Sequence, residues 1–537
     1  MTFLGFHRWT PSSVQKNQMQ RQLSIIILVT VLVLTSLLAG HGLTNGHGWG
    51  DDFAAYILQT ESIVRGAPSE FITDNRFIIE KSMYPIGPVI YPWGFPVLMA
   101  PVYGLFGHNI FALKIPGVIC HLFFIITLWF GFGRYHAAPW RVALVCLFAF
   151  NPGFHLFMNE VVSDIPFLLF STLSVLMIGK VAVERQRLFS THVDPLLLGV
   201  LIAMSFFIRT NGILLLVMLG IVHLIRVVKS AICMHGLVVP GPMRLREILI
   251  KLYQNVREDL WALLSSYACL ALCVLSWQCI LPEGGSTYVS QFGGLTLSII
   301  KENAYFYAKS PLSFFTIPDA PGMILVKALF LMSIPLFVTG VFRRFGKDVH
   351  ILIYSTLTLL LYVFWPYQDE RFIFPLLPFY ISFALTGLEG RDAVSRKDMR
   401  LNALRALPVI FVIVFFFWHS VASAHRNLLD ERTESTGPYV STSQELFSFV
   451  SRHSDPHNVI VFFKPRAMRL FTGRRSIMTG NVAELERGDY LCIYLREDAY
   501  DQLTHRDVAH LLKEGRLQPV YQNSDFQVFR IVEYIKG

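Results

Sequence analysis

The chain has 537 residues, of which 53% are hydrophobic and only 15% are charged, and its formal net charge at neutral pH is +9. About a quarter of the residues of a soluble chain are charged, so this composition excludes a disordered protein and argues against a purely soluble one. The basic residues sit between apolar runs and form no single basic face, so nucleic acid is not an expected partner. The seven cysteines include no CxxC pair and predict neither a disulfide framework nor a zinc site.

The first apolar run, residues 23–39, predicts a spanning helix, because about 20 apolar residues are needed to cross a bilayer. It is longer than a signal-peptide core and lacks a convincing cleavage site, so we expect it to be retained as an anchor. The basic segment 1–22 is then cytoplasmic by the positive-inside rule. Residues 41–95 form a large outer loop that is rich in acids.

Ten further apolar runs bring the predicted number of spans to eleven. Every loop that this count places inside is basic, and the outer loops are acidic or balanced, which supports the topology. The further spans are 110–132, 142–158, 165–180, 195–208, 211–226, 260–281, 323–342, 349–365, 372–389 and 406–424. The segment 95–106 is ambiguous, because it either dips into the membrane or begins a span.

The composition becomes soluble near residue 426, and an odd number of spans places this part outside. We expect residues 426–537 to form a small soluble α/β domain, joined by a Thr- and Ser-rich linker at 431–443. Its predicted helices are 445–452 and 506–514, and its predicted strands are 459–463, 490–494 and 526–532. The membrane domain occupies residues 23–425.

Two acids open a predicted helix in the first outer loop. Asp51 and Asp52 precede a stretch that runs to Arg65, where Gly66 suits a C-terminal cap. Its apolar residues lie largely on one side, as in a helix along a membrane surface. Helix capping by Asp51 and a first-turn role for Asp52 is the simpler structural interpretation.

A second polar segment, residues 159–166, stands at the outer start of a predicted span. It contains Glu160 and Asp164, and capping by Asp164 or Ser163 is again the structural alternative. The topology brings this segment to the same membrane face as Asp51 and Asp52. Charged groups there are costly unless they are wet, paired or functional, so the cluster favours a charged substrate.

Two arginines on this face are candidates for binding phosphate. Arg371 follows Gln368, Asp369 and Glu370 between two spans, and its planar guanidinium matches phosphate oxygens. A solvated hairpin with a salt bridge is the alternative. Arg209, between two short spans, is the second candidate, and interfacial snorkelling is its alternative. The basic residues at 464–475 are typical of a solvated face, with contact to anionic lipid as the alternative.

Together these segments resemble the GT-C membrane glycosyltransferases over roughly residues 20–425. The groups they are most similar to are bacterial lipid A aminoarabinose transferases, protein O-mannosyltransferases and the dolichyl-phosphate-mannose-transferase-like class. The features that carry the resemblance are Asp52 four residues before Tyr56, Gly66, Tyr91-Pro92-Trp93-Gly94-Phe95-Pro96 followed by Gly104-Leu105-Phe106-Gly107, Asp164, and Gln368-Asp369-Glu370-Arg371-Phe372 before Pro375 and Pro378.

The resemblance implies transfer of a sugar from a polyprenyl-phosphate donor to a lipid, glycan or protein acceptor, with inversion, on the non-cytoplasmic face. It assigns Asp52 as the catalytic base with Asp51 as its rival, Asp164 as a second acid, and Arg371 as the group that holds the leaving phosphate. Arg209 is the second donor-phosphate candidate, and the other substrate-binding candidates are Tyr56, Tyr91, Glu160, Gln368 and Glu370.

The resemblance also implies a multi-pass protein of the bacterial plasma membrane, in contact with membrane lipids and with its active site on the periplasmic or outer side. No cofactor is certain, although Asp51, Asp52 and Asp164 could hold a divalent metal, as in some relatives. Two departures concern the substrate. Tyr91 stands where the aminoarabinose group has a lysine, and Asp-Asp or Asp-Phe stands where the O-mannosyltransferases have Asp-Glu.

The rival hypothesis is a transporter or flippase of a lipid-linked sugar. Transporters usually place polar groups near the bilayer midplane, in broken helices of repeated halves. Here the polar groups lie at the ends of spans on one side, and no repeat is visible, so a transferase is favoured. A non-catalytic membrane assembly factor is a third possibility.

Overall fold

The computed structural model describes residues 13–84, 87–184, 186, 188–190, 193–236, 245–282, 295–317, 323–389, 396–430, 436–496 and 501–532. More than half of the predicted cytoplasmic segment (residues 1–12) and part of the predicted linker (431–435) lie outside these ranges.

The described chain is helical up to residue 429. Three 3₁₀ segments, Thr210–Gly212, Ser310–Phe315 and Glu370–Leu376, and one π-helical turn, Gly179–Val183, interrupt or extend the helices. The helices are α1 (Ser13–Gly42), α2 (Asp52–Arg65), α3 (Pro68–Lys81), α4 (Gly94–Phe106), α5 (Ile110–Gly131), α6 (Ala138–Ala149), α7 (Pro152–Met158), α8 (Asp164–Ile178), α9 (Val193–Ile208), α10 (Ile213–Gly236), α11 (Leu245–Ile280), α12 (Leu297–Lys309), α13 (Met323–Arg344), α14 (Val349–Val363), α15 (Leu377–Leu388) and α16 (Arg396–Leu429).

Within the described ranges, eight helical stretches are long and apolar enough to cross a membrane, and the bent pair α6 and α7 would make nine. The eight stretches include α1, α5, α8, α10, α11, α13, α15 and α16. Helices α9 and α14 are apolar but shorter, and α6 meets α7 at 48°. Every predicted span coincides with one of these elements. The protein is therefore an integral membrane protein, whereas a total of eleven crossings remains a prediction.

Helices α13 and α15 pack backbone to backbone at two glycines. A Cβ on Gly340 would lie 1.9 Å from the Phe383 carbonyl oxygen, and one on Gly387 would lie 2.0 Å from that of Leu336. Small residues let helices approach closely where lipid provides no hydrophobic driving force. This contact holds the second half of α15 against α13, and the segment Glu370–Leu376 leads into α15.

The soluble domain has α17 (Ser441–His453), β1 (Val459–Val461), α18 (Pro465–Thr472), β2 (Arg475–Ile477), β3 (Tyr490–Tyr494), α19 (His505–Lys513), β4 (Leu517–Gln522) and β5 (Phe526–Ile531). The sheet order is β2-β1-β3-β5-β4; β1 is parallel to β2 and β3, and the other pairs are antiparallel. The predicted α/β class is confirmed. The sequence pattern missed α18, β2 and β4, since β2 has only three residues and β4 contains Pro519.

The first outer loop folds into α2 and α3 and packs between the membrane helices and the soluble domain. As predicted, α2 ends at Arg65, and Gly66 follows in the left-handed region with φ 69°. The expectation that α2 lies with its apolar side on the membrane surface is wrong. Phe53 and Ile57 are buried in a cluster that includes Phe95 of α4 and Ala467 of α18.

Candidate active site

Asp51 and Asp52 stand at the start of α2 but do not share one environment. The Asp51 side chain forms no capping hydrogen bond to α2, so the predicted capping role of its carboxylate is wrong. It accepts instead from the backbone N–H of Arg466 at 3.0 Å, and 12% of the side chain is exposed. The Asp52 side chain is 34% exposed. Asp52 is therefore the more accessible of the two acids.

Asp52 is held by two partners from distant parts of the chain. The Tyr91 hydroxyl donates to Asp52 Oδ1 at 2.5 Å, and Arg371 Nη2 donates to Asp52 Oδ2 at 3.1 Å. Both carboxylate oxygens are thus oriented, and each keeps a further lone pair for a substrate hydroxyl.

Arg371 lies at the centre of three carboxylates. Besides its bond to Asp52, Nε donates to Asp369 Oδ2 at 2.6 Å, and Nη1 lies 3.6 Å from Asp164 Oδ2. The backbone N–H of Arg371 also donates to Asp369, which caps the 3₁₀ segment that begins at Glu370. The predicted salt-bridged hairpin is present, but its arginine also reaches two acids outside the hairpin.

Asp164 and Arg209 form the buried floor of this cluster. The Asp164 side chain is only 2% exposed and accepts a hydrogen bond from Arg209 Nη1. The Arg209 guanidinium lies 5.4 Å from the ring centre of Phe372, within the range of a cation–π contact. Arg209 therefore faces the cluster, and the snorkelling interpretation is wrong. Ser163 does not cap α8 with its side chain, because its hydroxyl bonds to Tyr56 at 2.9 Å.

Glu160 faces the same space and pairs with His47 at 2.6 Å. Behind them the buried Lys114 of α5 donates to Asn159 Oδ1 at 2.8 Å and to the Gly46 carbonyl at 2.6 Å. The amine ties the segment before α2 to the segment before α8. Sequence reasoning missed both His47 and Lys114, since a single lysine within an apolar run has no spacing signal.

A cavity of about 530 Å³ joins these groups to the soluble domain. One wall comes from the first outer loop, from the segment 156–162, and from Asp369 and Arg371. The other comes from residues that follow β1, β2 and β3, so the carboxyl ends of the three parallel strands face the acids. Ligands commonly bind at this edge of an open α/β sheet. The lining residues are His47, Trp49, Gly50, Asp51, Asp52, Phe53, Tyr84, Leu156, Phe157, Glu160, Val162, Asp369, Arg371, Phe463, Lys464, Pro465, Met478 and Asp501.

The remaining predicted residues lie at different distances from the acids. Tyr56 is buried under Tyr91, with ring centres 4.7 Å apart. Gln368 donates to Asn303 at 2.9 Å, and Glu370 is exposed. Neither Gln368 nor Glu370 lines the cavity.

Sequence reasoning also missed Asp369 and Arg466 as members of the cluster. Asp369 lies in the same short segment as Arg371, and this proximity in sequence was the signal that could have identified it as a partner of the arginine. Arg466 was predicted to belong to a solvated basic face, but its side chain is fully buried at the acids.

The two neighbouring acids have pKa values displaced in opposite directions. Burial raises the pKa of Asp51, and the opposing charges of Arg466 and Lys464 do not cancel this effect. Burial would also raise the pKa of Asp52, but the Arg371 guanidinium, the Tyr91 hydrogen bond and Arg466 outweigh it. The pKa of Asp52 therefore lies below its ordinary value of 3.8.

The described residues include no group of three or more His, Cys, Asp or Glu side chains placed to hold a metal ion. The three acids that the sequence offered as metal ligands are paired with arginines. Asp51 pairs with Arg466, Asp52 with Arg371, and Asp164 with both Arg209 and Arg371. These three acids therefore do not form a metal centre in the described part of the chain.

The helical membrane body, joined to a small soluble sheet domain, has the fold of the GT-C membrane glycosyltransferases, as the sequence predicted. Residues 90–239 match the sequence model of the family described as dolichyl-phosphate-mannose-protein mannosyltransferase. No curated protein matches the chain.

Two solved structures illustrate the similarity of fold. ArnT from Cupriavidus metallidurans bound to undecaprenyl phosphate aligns with a TM-score of 0.58 and 10% identity, over 96% of this chain and 99% of that one. The archaeal oligosaccharyltransferase AglB from Archaeoglobus fulgidus, in complex with an inhibitory peptide and a dolichol-phosphate, aligns with a TM-score of 0.55 and 11% identity, over 96% of this chain and 75% of that one. At identities this low, the similarity establishes a common fold and nothing beyond it.

Proposed function

We propose that the protein is a membrane glycosyltransferase that moves a sugar from a polyprenyl-phosphate donor to a lipid, glycan or protein acceptor, with inversion at the anomeric carbon. The observation that carries the proposal is the contact between Asp52 and Arg371 at the wall of the cavity. It places a carboxylate that can accept the acceptor's proton beside a guanidinium that can stabilise a departing phosphate. The similar structures with undecaprenyl phosphate and dolichol-phosphate bound support the donor class.

In the proposed reaction an acceptor hydroxyl forms a hydrogen bond to Asp52 and attacks the anomeric carbon. The new carbon–oxygen bond forms as the bond to the phosphate oxygen breaks, and the acceptor proton passes to Asp52. The exposed part of the Asp52 side chain and the lone pairs left by Tyr91 and Arg371 support this role. Asp51 remains the rival base, because a higher pKa makes a stronger proton acceptor.

The polyprenyl phosphate leaves as an anion, so a fixed cation nearby lowers the barrier. Arg371 is the proposed partner of this phosphate. A guanidinium has five N–H donors, and two of them are used in side-chain hydrogen bonds to Asp369 and Asp52. Arg209 is one step further from the cavity and acts on the phosphate through Asp164 and Arg371.

The carboxylates Asp164 and Asp369 keep Arg371 at the cavity wall before the donor arrives. A preorganised cation costs little reorganisation when charge develops on the leaving oxygen. Because Asp164 is almost fully buried, we assign it to holding the arginines in place, while Asp52 meets the substrate.

We further propose that this site faces the non-cytoplasmic side of a bacterial plasma membrane, with the soluble domain on the same side. The basic inner loops support this orientation. The soluble domain contributes part of the cavity wall, so domain and acids must share one face.

The proposal is tested by purifying the full-length protein in detergent and supplying a radiolabelled polyprenyl-phosphate sugar with a membrane extract as the source of acceptor. We expect consumption of the donor, release of polyprenyl phosphate and label in a new product. Asp52→Asn is the matched control, because it keeps the size and hydrogen-bonding shape of the side chain. Equal donor consumption by wild type and Asp52→Asn contradicts the assignment of Asp52 as the base. In a separate assay with sealed vesicles, transport of the intact donor across the membrane supports the transporter alternative.

A further inference from the structure

Arg466 is the largest fully buried side chain among the described residues, and it belongs to the soluble domain. A buried guanidinium is costly unless its donors and its charge are matched. Here the matching groups come from the first outer loop. Arg466 therefore joins the soluble domain to the first outer loop through a fully buried side chain, whereas an arginine in an ordinary surface contact would remain exposed to water.

Arg466 contacts Asp51 and the chain segment that leads to Tyr91. Its backbone N–H donates to Asp51 Oδ1 at 3.0 Å, and Nε lies 3.6 Å from Asp51 Oδ2. Nε also donates to Asn75 at 3.1 Å, and Nη2 donates to the Pro88 carbonyl at 2.8 Å. These bonds hold one guanidinium edge against the chain segment that ends at Tyr91.

The contact between Arg466 and Tyr91 fixes which group donates each hydrogen bond. Arg466 Nη1 donates to the Tyr91 hydroxyl oxygen at 3.4 Å, and arginine cannot accept a hydrogen bond. Tyr91 must therefore accept from Arg466, and its single proton is directed to Asp52 Oδ1 at 2.5 Å. The three side chains form a one-way series from the soluble domain to the proposed base.

The backbone around Gly87 leaves room for this series. Gly87 has φ 125°, which side-chain-bearing residues rarely adopt. A Cβ there would lie 3.1 Å from the Tyr91 hydroxyl oxygen and 3.4 Å from Arg466 Nη1. The loop thus brings its backbone close to the point where the arginine meets the tyrosine.

We propose that Arg466 is a positioning residue through which the soluble domain completes the active site, by fixing Asp51 and by orienting the Tyr91 hydroxyl toward Asp52. The inference rests on the proposed glycosyl transfer and gives the soluble domain a role in it. Arg466 lies behind Tyr91 and does not line the cavity, so it acts on the substrate through other side chains.

The same helix supplies a matched control. Arg469 lies three residues further along α18 and forms an ion pair with Asp74 of the same outer loop. Among the described residues, no hydrogen bond or ion pair joins Arg469 to the two acids or to Tyr91. Arg469→Met therefore removes a salt bridge between the same two parts of the protein without removing the series.

The experiment measures kcat and KM for a radiolabelled polyprenyl-phosphate sugar in the full-length protein. We expect Arg466→Met and Tyr91→Phe each to lower kcat by about tenfold or more, with a smaller effect on the donor KM. Arg466→Lys should be partly active, and Arg469→Met should stay within about twofold of wild type. The double variant Arg466→Met/Tyr91→Phe should be no slower than the worse single variant, because both break one series.

Arg466→Met with the same kcat as Arg469→Met overturns the inference, as does a double variant whose losses multiply. If Arg466→Met does not fold, Tyr91→Phe, which removes one oxygen atom, decides the matter: an unchanged kcat contradicts the series. A wild-type protein that transfers no sugar contradicts the proposed function instead.

Hydrogen exchange tests, independently of activity, whether Arg466 fixes the start of α2. Hydrogen exchange of residues 51–65 should increase in Arg466→Met and not in Arg469→Met. Equal exchange in the two variants would show that Arg466 does not fix the start of α2.

Discussion

Arg371 Nη2 donates to Asp52 Oδ2 at 3.1 Å, although 319 residues separate the two in sequence. Asp52 begins a helix of the first outer loop, and Arg371 lies in the 3₁₀ segment that leads into α15. The same arginine contacts Asp164 and Asp369. A carboxylate facing the cavity is thereby coupled to a guanidinium that contacts three carboxylates.

The first prediction separates the two neighbouring acids. Asp52→Asn should lower transfer by about 10²-fold or more, the usual contribution of a general base. Asp51→Asn should cost less, because an asparagine oxygen can still accept from the Arg466 backbone N–H. Initial rates in detergent measure both, with thermal unfolding as the check on folding. Full activity in both single variants and in the double variant would show that neither Asp51 nor Asp52 is the catalytic base.

The second prediction concerns the arginines. Arg371→Ala should be severely impaired, since it removes the proposed phosphate contact and leaves Asp52 and Asp369 without their guanidinium partner. Arg371→Lys should be partly active, because it keeps the charge and loses the planar fork. Arg209→Ala should be milder than Arg371→Ala, because Arg209 does not line the cavity.

Donor binding measured separately from turnover distinguishes the two arginine roles. We expect Arg371→Ala to weaken donor binding as well as kcat. If Arg371→Ala binds and turns over donor normally while Arg209→Ala does not, the two assignments must be exchanged.

The third prediction uses pH to distinguish Asp52 from Asp51 as the base. A base must be ionised, so kcat/KM falls as pH drops through its pKa in the free enzyme. If Asp52 is the base, the acid limb lies below pH 3.8, since Arg371 and Tyr91 more than offset the effect of burial on its pKa. If Asp51 is the base, burial raises its pKa and the limb lies above pH 3.8. The measurement is kcat/KM against pH for wild type, with Asp51→Asn as control: an acid limb that persists in this variant below pH 3.8 assigns the base to Asp52.

The fourth prediction concerns topology. A reporter fused to the C-terminus should be active only on the non-cytoplasmic side, because the basic loops alternate with acidic or balanced ones. A fusion in the basic loop between α13 and α14, near Lys347, provides the opposite control. Cytoplasmic activity of the C-terminal fusion would refute the odd number of spans.

Much of the fold follows from local patterns in the sequence. Long apolar runs coincide with the spanning helices, and Gly66 ends α2 where a left-handed cap was predicted. Alternating charge in the loops predicts Asp52, Asp164 and Arg371 at one membrane face, and the structure brings the three together. These signals work because burial in lipid and helix capping depend on nearby residues.

Partners across the fold could not be predicted in the same way. The sequence spacing of Lys464-Pro465-Arg466 contains no information about Asp51, which lies 415 residues from Arg466. Local rules favour Asp51 as a helix cap, but this interpretation is wrong because its carboxylate accepts a hydrogen bond from the backbone N–H of the distant Arg466. The buried Lys114 likewise finds its acceptors at Asn159 and Gly46 only after the helices pack.

The most direct test of the central claim is mass spectrometry of lipids, surface glycans and envelope proteins from cells that carry the wild-type protein, the Asp52→Asn variant or no copy of the protein. The account predicts a sugar-bearing product that is present with wild type and absent both from the Asp52→Asn cells and from the cells without the protein, with equal amounts of wild-type and variant protein in the membrane. The same product at the same level with Asp52→Asn as with wild type would contradict it.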